Sequence, residues 1–350
     1  MGKEMSLMSG CLGLVICLVI VSQAVWADGV ELADARDLPY THAERLVNIG
    51  QGRRLNLYCI GTGSTTVVFD AGLGGASSSW DLIQPTIALK TRACSYDRAG
   101  LGFSDPATRP GTSANIVDDL HRLLQSAGIK PPYVLVGHSS GGMNVRLYAD
   151  EYPAEVAGMV LVDPSHEDQG AREWQLEGNA AKVKWQKFYR QSLEIKRKCV
   201  ATASSSAGLV EGTELFKQCM PEPVGHFSAA LNALMLDYSA TPANQQAVLS
   251  ELENVYYASS DQVRAARRSY GDKPLIVLTH APFPKGPEET QALRNLRTTL
   301  WETLHDELAA LSTRGVNRTV AGSGHFIQWD QPRVVDDAIL EVLADTVKKS

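Results

Sequence analysis

The stretch that decides the fold is YVLVGHSSGGMNVRLYA, Tyr133–Ala149. It opens as a short apolar, β-branched run, meets Gly137-His138-Ser139-Ser140-Gly141-Gly142, and continues as an amphipathic helical pattern. A turn that takes a strand straight into a helix strains the backbone at its apex, and the positions two before and two after must be small. Gly137 and Gly141 satisfy that frame around Ser139. Shifting the frame by one places His138 where a small residue is needed. Ser139 is therefore the candidate nucleophile. Ser140 follows it, with an amide at the start of a helix, aimed at a reacting carbonyl.

Working outward, Arg45–Ile49, Arg53–Gly61, Thr65–Gly72 and Arg92–Asp97 read as strands upstream of the turn. A helix is expected over Ser113–Ala127, with Ser113 as its cap, Gly128 as its stop and Ile116, Leu120, Leu123, Leu124 and Ala127 on its apolar face. Downstream, a helix runs to about Asp150, and Gly158–Asp163, Pro274–Thr279 and Asn317–Gly322 read as strands before a closing helix at Pro332–Val347. Strands alternating with helices argue for an α/β domain, a mostly parallel sheet with helices on both faces. Residues 165–270 fall outside the alternation and are largely helix-like. An insertion of that length is a separate small domain or a lid.

The chain has 350 residues and a net charge of −6, with no basic block beyond short pairs and Lys196–Arg197–Lys198, which excludes a nucleic-acid partner. Lys3 precedes an uncharged run, Met5–Ala27, whose apolar centre is Cys11–Val21 and whose end carries small residues at Val25 and Ala27. This reads as a signal peptide over residues 1–27, removed on export to a periplasmic or secreted location. The alternative is an uncleaved membrane anchor. Cys59, Cys94, Cys199 and Cys219 remain in the mature chain, an even number expected to form disulfides in an oxidising compartment. Their spacing gives no metal site, and no cofactor is called for.

A serine hydroxyl needs a base. Of eight histidines, His325 stands in AGSGHFIQWDQP, a Gly-rich loop between the last strand and the last helix that can aim an imidazole at the strand ends. His138 is expected to point away from the serine. His280, at a strand end, is a secondary candidate. His42, His121, His166, His226 and His305 read as surface or structural.

DAGLGG (Asp70–Gly75), YDRAGLGFSD (Tyr96–Asp105), GHSSGG (Gly137–Gly142) and GSGHF (Gly322–Phe326) together resemble the α/β-hydrolase superfamily, specifically its esterase-like serine hydrolase branch, over Arg45–Val347. The resemblance implies an eight-stranded sheet formed by residues 28–164 and 271–350, with residues 165–270 a helical lid inserted after strand six. Strands two and four become neighbours, which pairs Cys59 with Cys94 and leaves Cys199–Cys219 to close a loop in the lid. It implies an oxyanion hole from the amides of Leu73 and Ser140. Family members usually carry His-Gly where this chain has Ala71-Gly72. The amide survives that change, but the brace of the loop is left open. Asp97 and Arg98 are given a bracing role.

The acid that orients His325 has two possible positions. Glu288 and Glu289 follow the strand Pro274–Thr279, in KGPEET, whereas Asp163 ends the preceding strand. Asp163 is favoured because a rigid element fixes it. The activity implied is hydrolysis of a carboxylic ester of a small, partly apolar substrate through an acyl-enzyme on Ser139. The same triad could serve carbon–carbon or amide hydrolysis or perhydrolysis, and a non-catalytic ligand-binding protein of this fold is the reading from another class. An aspartate-nucleophile dehalogenase or epoxide hydrolase is disfavoured by the serine. Trp174, Trp185, Phe188, Phe216, Phe227 and Leu231 are expected to wall an apolar pocket, the alternative being that these aromatics are simple lid core.

Overall fold

A computed structural model describes residues 36–282 and 289–347; the expected signal peptide and Glu288 lie outside them. Eight strands form one sheet: β1 Leu46–Asn48, β2 Arg54–Ile60, β3 Thr66–Asp70, β4 Arg92–Tyr96, β5 Tyr133–His138, β6 Val156–Val162, β7 Leu275–His280 and β8 Gly315–Val320. Their order is β1-β2-β4-β3-β5-β6-β7-β8. β2 runs antiparallel to both β1 and β4, and the remaining pairs are parallel.

The central strands read as continuous apolar runs because helices cover both faces. Alternate residues feed two separate cores. On one face Val68, Leu135, Met159 and Leu161 meet Leu120, Leu123 and Leu147. On the other, Val67, Phe69, Val134, Val136 and Val160 meet Trp80, Ile83, Val335 and Ile339. The helices Ser113–Ala127 and Pro332–Val347 lie where the sequence places them. The first is capped by Thr112, whose side chain accepts from the Asn115 amide at 3.3 Å, and not by Ser113. Its buried face uses Val117 in place of Ile116, with Leu120, Leu123 and Leu124. Gly128 ends it at φ 72°, a left-handed conformation open to glycine without a Cβ penalty.

Between β6 and β7 lie the helices Gln169–Glu177, Asn179–Ala203, Glu214–Cys219, Ala229–Ser239, Pro242–Val255 and Ala258–Ala266. Asn179–Ala203 packs along Pro242–Val255, whereas Ala258–Ala266 packs on the helices Ser140–Glu151 and Ser113–Ala127 of the sheet layer. The aromatic residues of this region chiefly pack among themselves. Trp185 stacks on Tyr189 with ring centroids 5.0 Å apart, between Trp174 and Tyr256. Phe227 and Leu231 close over Tyr40 and Tyr58, Phe216 is half-buried, and Phe188 is exposed. This packing fits the lid-core alternative for these aromatics.

Cys59 and Cys94 face each other across β2 and β4 and are bonded. Cys199–Cys219 ties the helix Asn179–Ala203 to Glu214–Cys219. Among the described residues, no helix is long and apolar enough to cross a membrane.

Candidate active site

β5 ends at His138 and a helix begins at Ser140, so Ser139 alone makes the turn. Its backbone sits at φ 53°, a region that costs a non-glycine residue of order 1–3 kcal/mol and persists only where the surroundings enforce it. They do so here: the Ser139 amide donates to the Val162 carbonyl at 3.1 Å, and its own carbonyl accepts from Gly142 and Ser165 at 2.9 Å each. The flanking glycines are required by close approach. A Cβ on Gly137 would lie 2.5 Å from the Gly141 carbonyl oxygen, and one on Gly141 would lie 2.4 Å from that of Asp70.

His325 comes from the loop after β8. The Gly324 amide donates to Asp330 at 2.7 Å, and Phe326 stacks flat on Trp329. Its Nδ1 lies 2.5 Å from Oδ2 of Asp163, which is fully buried at the end of β6. Asp163 itself adopts φ 41°, a left-handed conformation that Asp tolerates better than most residues. Burial raises the Asp163 carboxyl, but hydrogen bonds and charge from His280 and His325 overcome this and hold it well below the usual carboxylate range. Glu289, the alternative acid, pairs with Arg297 at 2.9 Å.

Two groups on Asp163 were missed in the sequence. Its Oδ1 accepts from Nδ1 of His280 at 2.8 Å and from the Trp301 indole at 3.0 Å. The strand-end position of His280 was a signal; Trp301, in the middle of the helix Gln291–Ala309, gave none. His138 also departs from expectation. It does not point away but packs 4.7 Å from the His325 ring, and its Nε2 donates to the His325 carbonyl at 3.0 Å. Burial and the neighbouring His325 push its pKa down to about 3, so it stays neutral and acts as a strut beneath the loop.

On the other side of Ser139 runs the loop after β3. Gly72 passes so near that an added Cβ would lie 3.2 Å from the Ser139 Cβ. The Leu73 side chain packs against the Trp185–Leu249–Leu252 cluster of the inserted helices. The brace left open by the missing histidine is an ionic one. Arg98 pairs with buried Asp70 at 2.8 Å and with Glu251, from the helix Pro242–Val255, at 2.7 Å. Arg98 also donates to the carbonyls of Ala71 (2.8 Å) and Gly72 (2.7 Å), and Glu251 accepts from the Gly74 amide at 2.8 Å. Asp97 braces a different place, accepting from the amides of Ser77 and Phe103 at 2.8 and 3.0 Å. Glu251 lies too far along the chain from Arg98 for any sequence pattern to have paired them.

Among the described residues, His166, Glu167 and Asp168 are the grouping whose donor atoms lie close enough to share a metal ion. Their charge is already matched by arginines: Glu167 pairs with Arg146 at 2.8 Å and Arg267 at 3.1 Å, and Asp168 with Arg264 at 2.8 Å.

A family model described as alpha/beta hydrolase fold matches residues 65–278. The uncharacterized protein YqjL of Bacillus subtilis is 37% identical over 105 residues, covering 30% of this chain and 42% of that protein, so the chain spans less than half of that relative's length. Among solved structures, epoxide hydrolase CorEH superposes with a TM-score of 0.57 at 15% identity, covering 85% of this chain and 98% of its own. A thermophilic esterase from Thermogutta terrifontis gives a TM-score of 0.55 at 18% identity, covering 86% and 97%. At such identities the likeness is one of fold.

Proposed function

The chain belongs to the α/β-hydrolase fold family, and within it we propose a serine hydrolase that cleaves a carboxylic ester of a small, partly apolar substrate through an acyl-enzyme on Ser139. The observation that carries this reading is the pairing of two features: a serine forced to φ 53° at a strand-to-helix turn, and a histidine held 2.5 Å from a buried aspartate on an adjoining loop.

In this reading Ser139 Oγ attacks the ester carbonyl while Nε2 of His325 takes its proton. Asp163 accepts the Nδ1 hydrogen of His325, fixes that tautomer, and stabilises the imidazolium. The oxyanion is met by the amides of Leu73 and Ser140, the second at the positive end of a helix. His325 returns the proton to the departing alcohol. It then activates the water that releases the acid. The serine favours this chemistry over an aspartate-nucleophile epoxide opening. The inserted helices serve as a lid, a role supported by their contact with the loop that carries Leu73. The two disulfides support export of the mature chain.

The test is hydrolysis of p-nitrophenyl esters of increasing acyl length by the wild type and by Ser139→Ala. The expected result is turnover that vanishes in the variant, with a preferred chain length that sizes the pocket. Hydrolysis surviving in Ser139→Ala, or a folded wild type inert on every ester, would sink the reading.

A further inference from the structure

We infer that the Arg98–Glu251 ion pair is a positioning device for the oxyanion hole, by which the inserted helices set the direction of the Leu73 N–H. The inference rests on the proposed role of Leu73.

The Gly72–Leu73 peptide is planar and trans, so its C=O and N–H point in opposite directions. Arg98 Nη2 holds the Gly72 oxygen at 2.7 Å, and the Gly75 amide holds the same oxygen at 2.9 Å. Fixing that oxygen fixes the Leu73 hydrogen on the opposite edge. The next peptide unit, Leu73–Gly74, is fixed at its other end, because the Gly74 N–H donates to Glu251 Oε2 at 2.8 Å. Among the described residues, the Leu73 N–H itself donates to no backbone acceptor. One ion pair thus contributes a bond to each of the two planes that meet at Leu73, and the amide between them is left to the substrate.

The pair is built for this. The Arg98 side chain is 4% exposed and the Glu251 side chain 9%, and Arg98 spends its fork on four acceptors: Asp70, Ala71, Gly72 and Glu251. Lysine, a point charge on a flexible stem, cannot serve four acceptors in that plane. Glu251 Oε1 accepts from Arg98 Nε at 2.7 Å, and Oε2 accepts from both Arg98 Nη2 at 3.0 Å and the Gly74 amide; glutamine has one acceptor oxygen and no charge, so it must turn an NH2 donor toward Arg98 Nε or toward the Gly74 amide. Arg98 belongs to the loop after β4, whereas Glu251 belongs to the insertion. The hole is therefore aligned only when the helix Pro242–Val255 is seated.

The experiment compares Arg98→Lys and Glu251→Gln with the wild type on p-nitrophenyl butyrate. It also measures the affinity of each for an alkyl trifluoromethyl ketone, which forms a tetrahedral oxyanion adduct on serine. Removing an oxyanion donor outright costs roughly 10²–10³ in kcat. A misdirected donor is expected to cost about tenfold or more, with KM changed less than about threefold. Ketone affinity should fall in step with kcat/KM. Near-UV circular dichroism establishes that the variants fold. Glu253→Gln, on the same helix but paired with Arg197 at the surface, should match the wild type. Folded variants with unchanged kcat and ketone affinity, or losses confined to thermal stability, would overturn the inference. Loss of the functional reading itself shows elsewhere, as ester hydrolysis that survives Ser139→Ala.

Discussion

On one flank of Ser139, His325 is held by Asp163, and the groups that hold Asp163 come from β7 and the helix Gln291–Ala309, both part of the sheet domain. On the other flank, Leu73 sits in a loop held half by Arg98 of the sheet domain and half by Glu251 of the insertion. The proposed base is thus supported from within the sheet domain, by a strand end and a helix. The proposed electrophilic side depends in part on the insertion, which is covalently connected to the sheet domain at its two ends and packs on it through Ala258–Ala266. The contrast teaches where tolerance lies: the proposed base flank has redundant donors on its carboxylate, all from the sheet domain, whereas the side-chain support of the Leu73 loop comes from one ion pair split between the sheet domain and the insertion.

The largest effect should come from breaking the base flank at its anchor. Asp163→Asn presents an amide to His325, disfavours the required tautomer, and is expected to lower kcat on p-nitrophenyl esters by about 10³–10⁴-fold with little change in KM. A loss under tenfold would mean that another acid serves His325. Next is the insertion on its own. Replacing Cys199 and Cys219 together with serine frees a loop with a sequence separation of 20, worth about 3 kcal/mol in the chain-entropy account. Denaturant unfolding should show that loss. The oxyanion flank, and so kcat, should suffer before the base flank does.

A smaller effect is expected at His280. His280→Ala removes one donor from Asp163 and leaves the Trp301 indole in place, so kcat should fall about tenfold, in line with one hydrogen bond to a charged group. His280→Asn, which keeps a donor, should recover part of it. Full activity in His280→Ala would show that Trp301 suffices. The smallest effect concerns pH and the strut. His138 has a folded pKa near 3 against an ordinary 6.5, so the unfolded chain binds a proton that the native state does not. Its contribution to stability is complete above pH 6.5 and is lost as the pH falls toward 3, at about 1 kcal/mol per pH unit. Burial pushes His166 and His305 the same way, to about 4. It pushes Asp150 and Glu173 up to about 7, which acts in the opposite sense. The comparison of wild type with His138→Asn by urea unfolding at pH 7, 6 and 5 isolates the one residue. The stability gap between the two should narrow as pH falls.

What could be read from the sequence was what is local or periodic. The turn at Ser139 lies within five residues, and the central strands β3, β5, β6 and β7 each show an apolar run, whereas β8, GVNRTV at the sheet edge, does not. Asp163 sits at a strand end and His325 in the loop after the last strand, where a chain-order argument reaches both; the sequence already favoured Asp163 over the Glu288–Glu289 pair, and the fold adds the contact of Asp163 with His325. What was not legible depends on side chains meeting across long separations. Glu251 looks like any acidic residue of an amphipathic helix. The strut role of His138 was hidden because its partner is a backbone carbonyl, which leaves no mark on residue choice. The aromatic residues of the insertion were legible as apolar, but not as partners of one another.

The two disulfides have a mechanical consequence. Cys59–Cys94 lies wholly within the sheet domain and Cys199–Cys219 wholly within the insertion. No crosslink among the described residues spans the seam between them. Each half is riveted internally, while the joint is closed by packing and charge alone. A shift of the insertion against the sheet domain would therefore strain no covalent crosslink among the described residues.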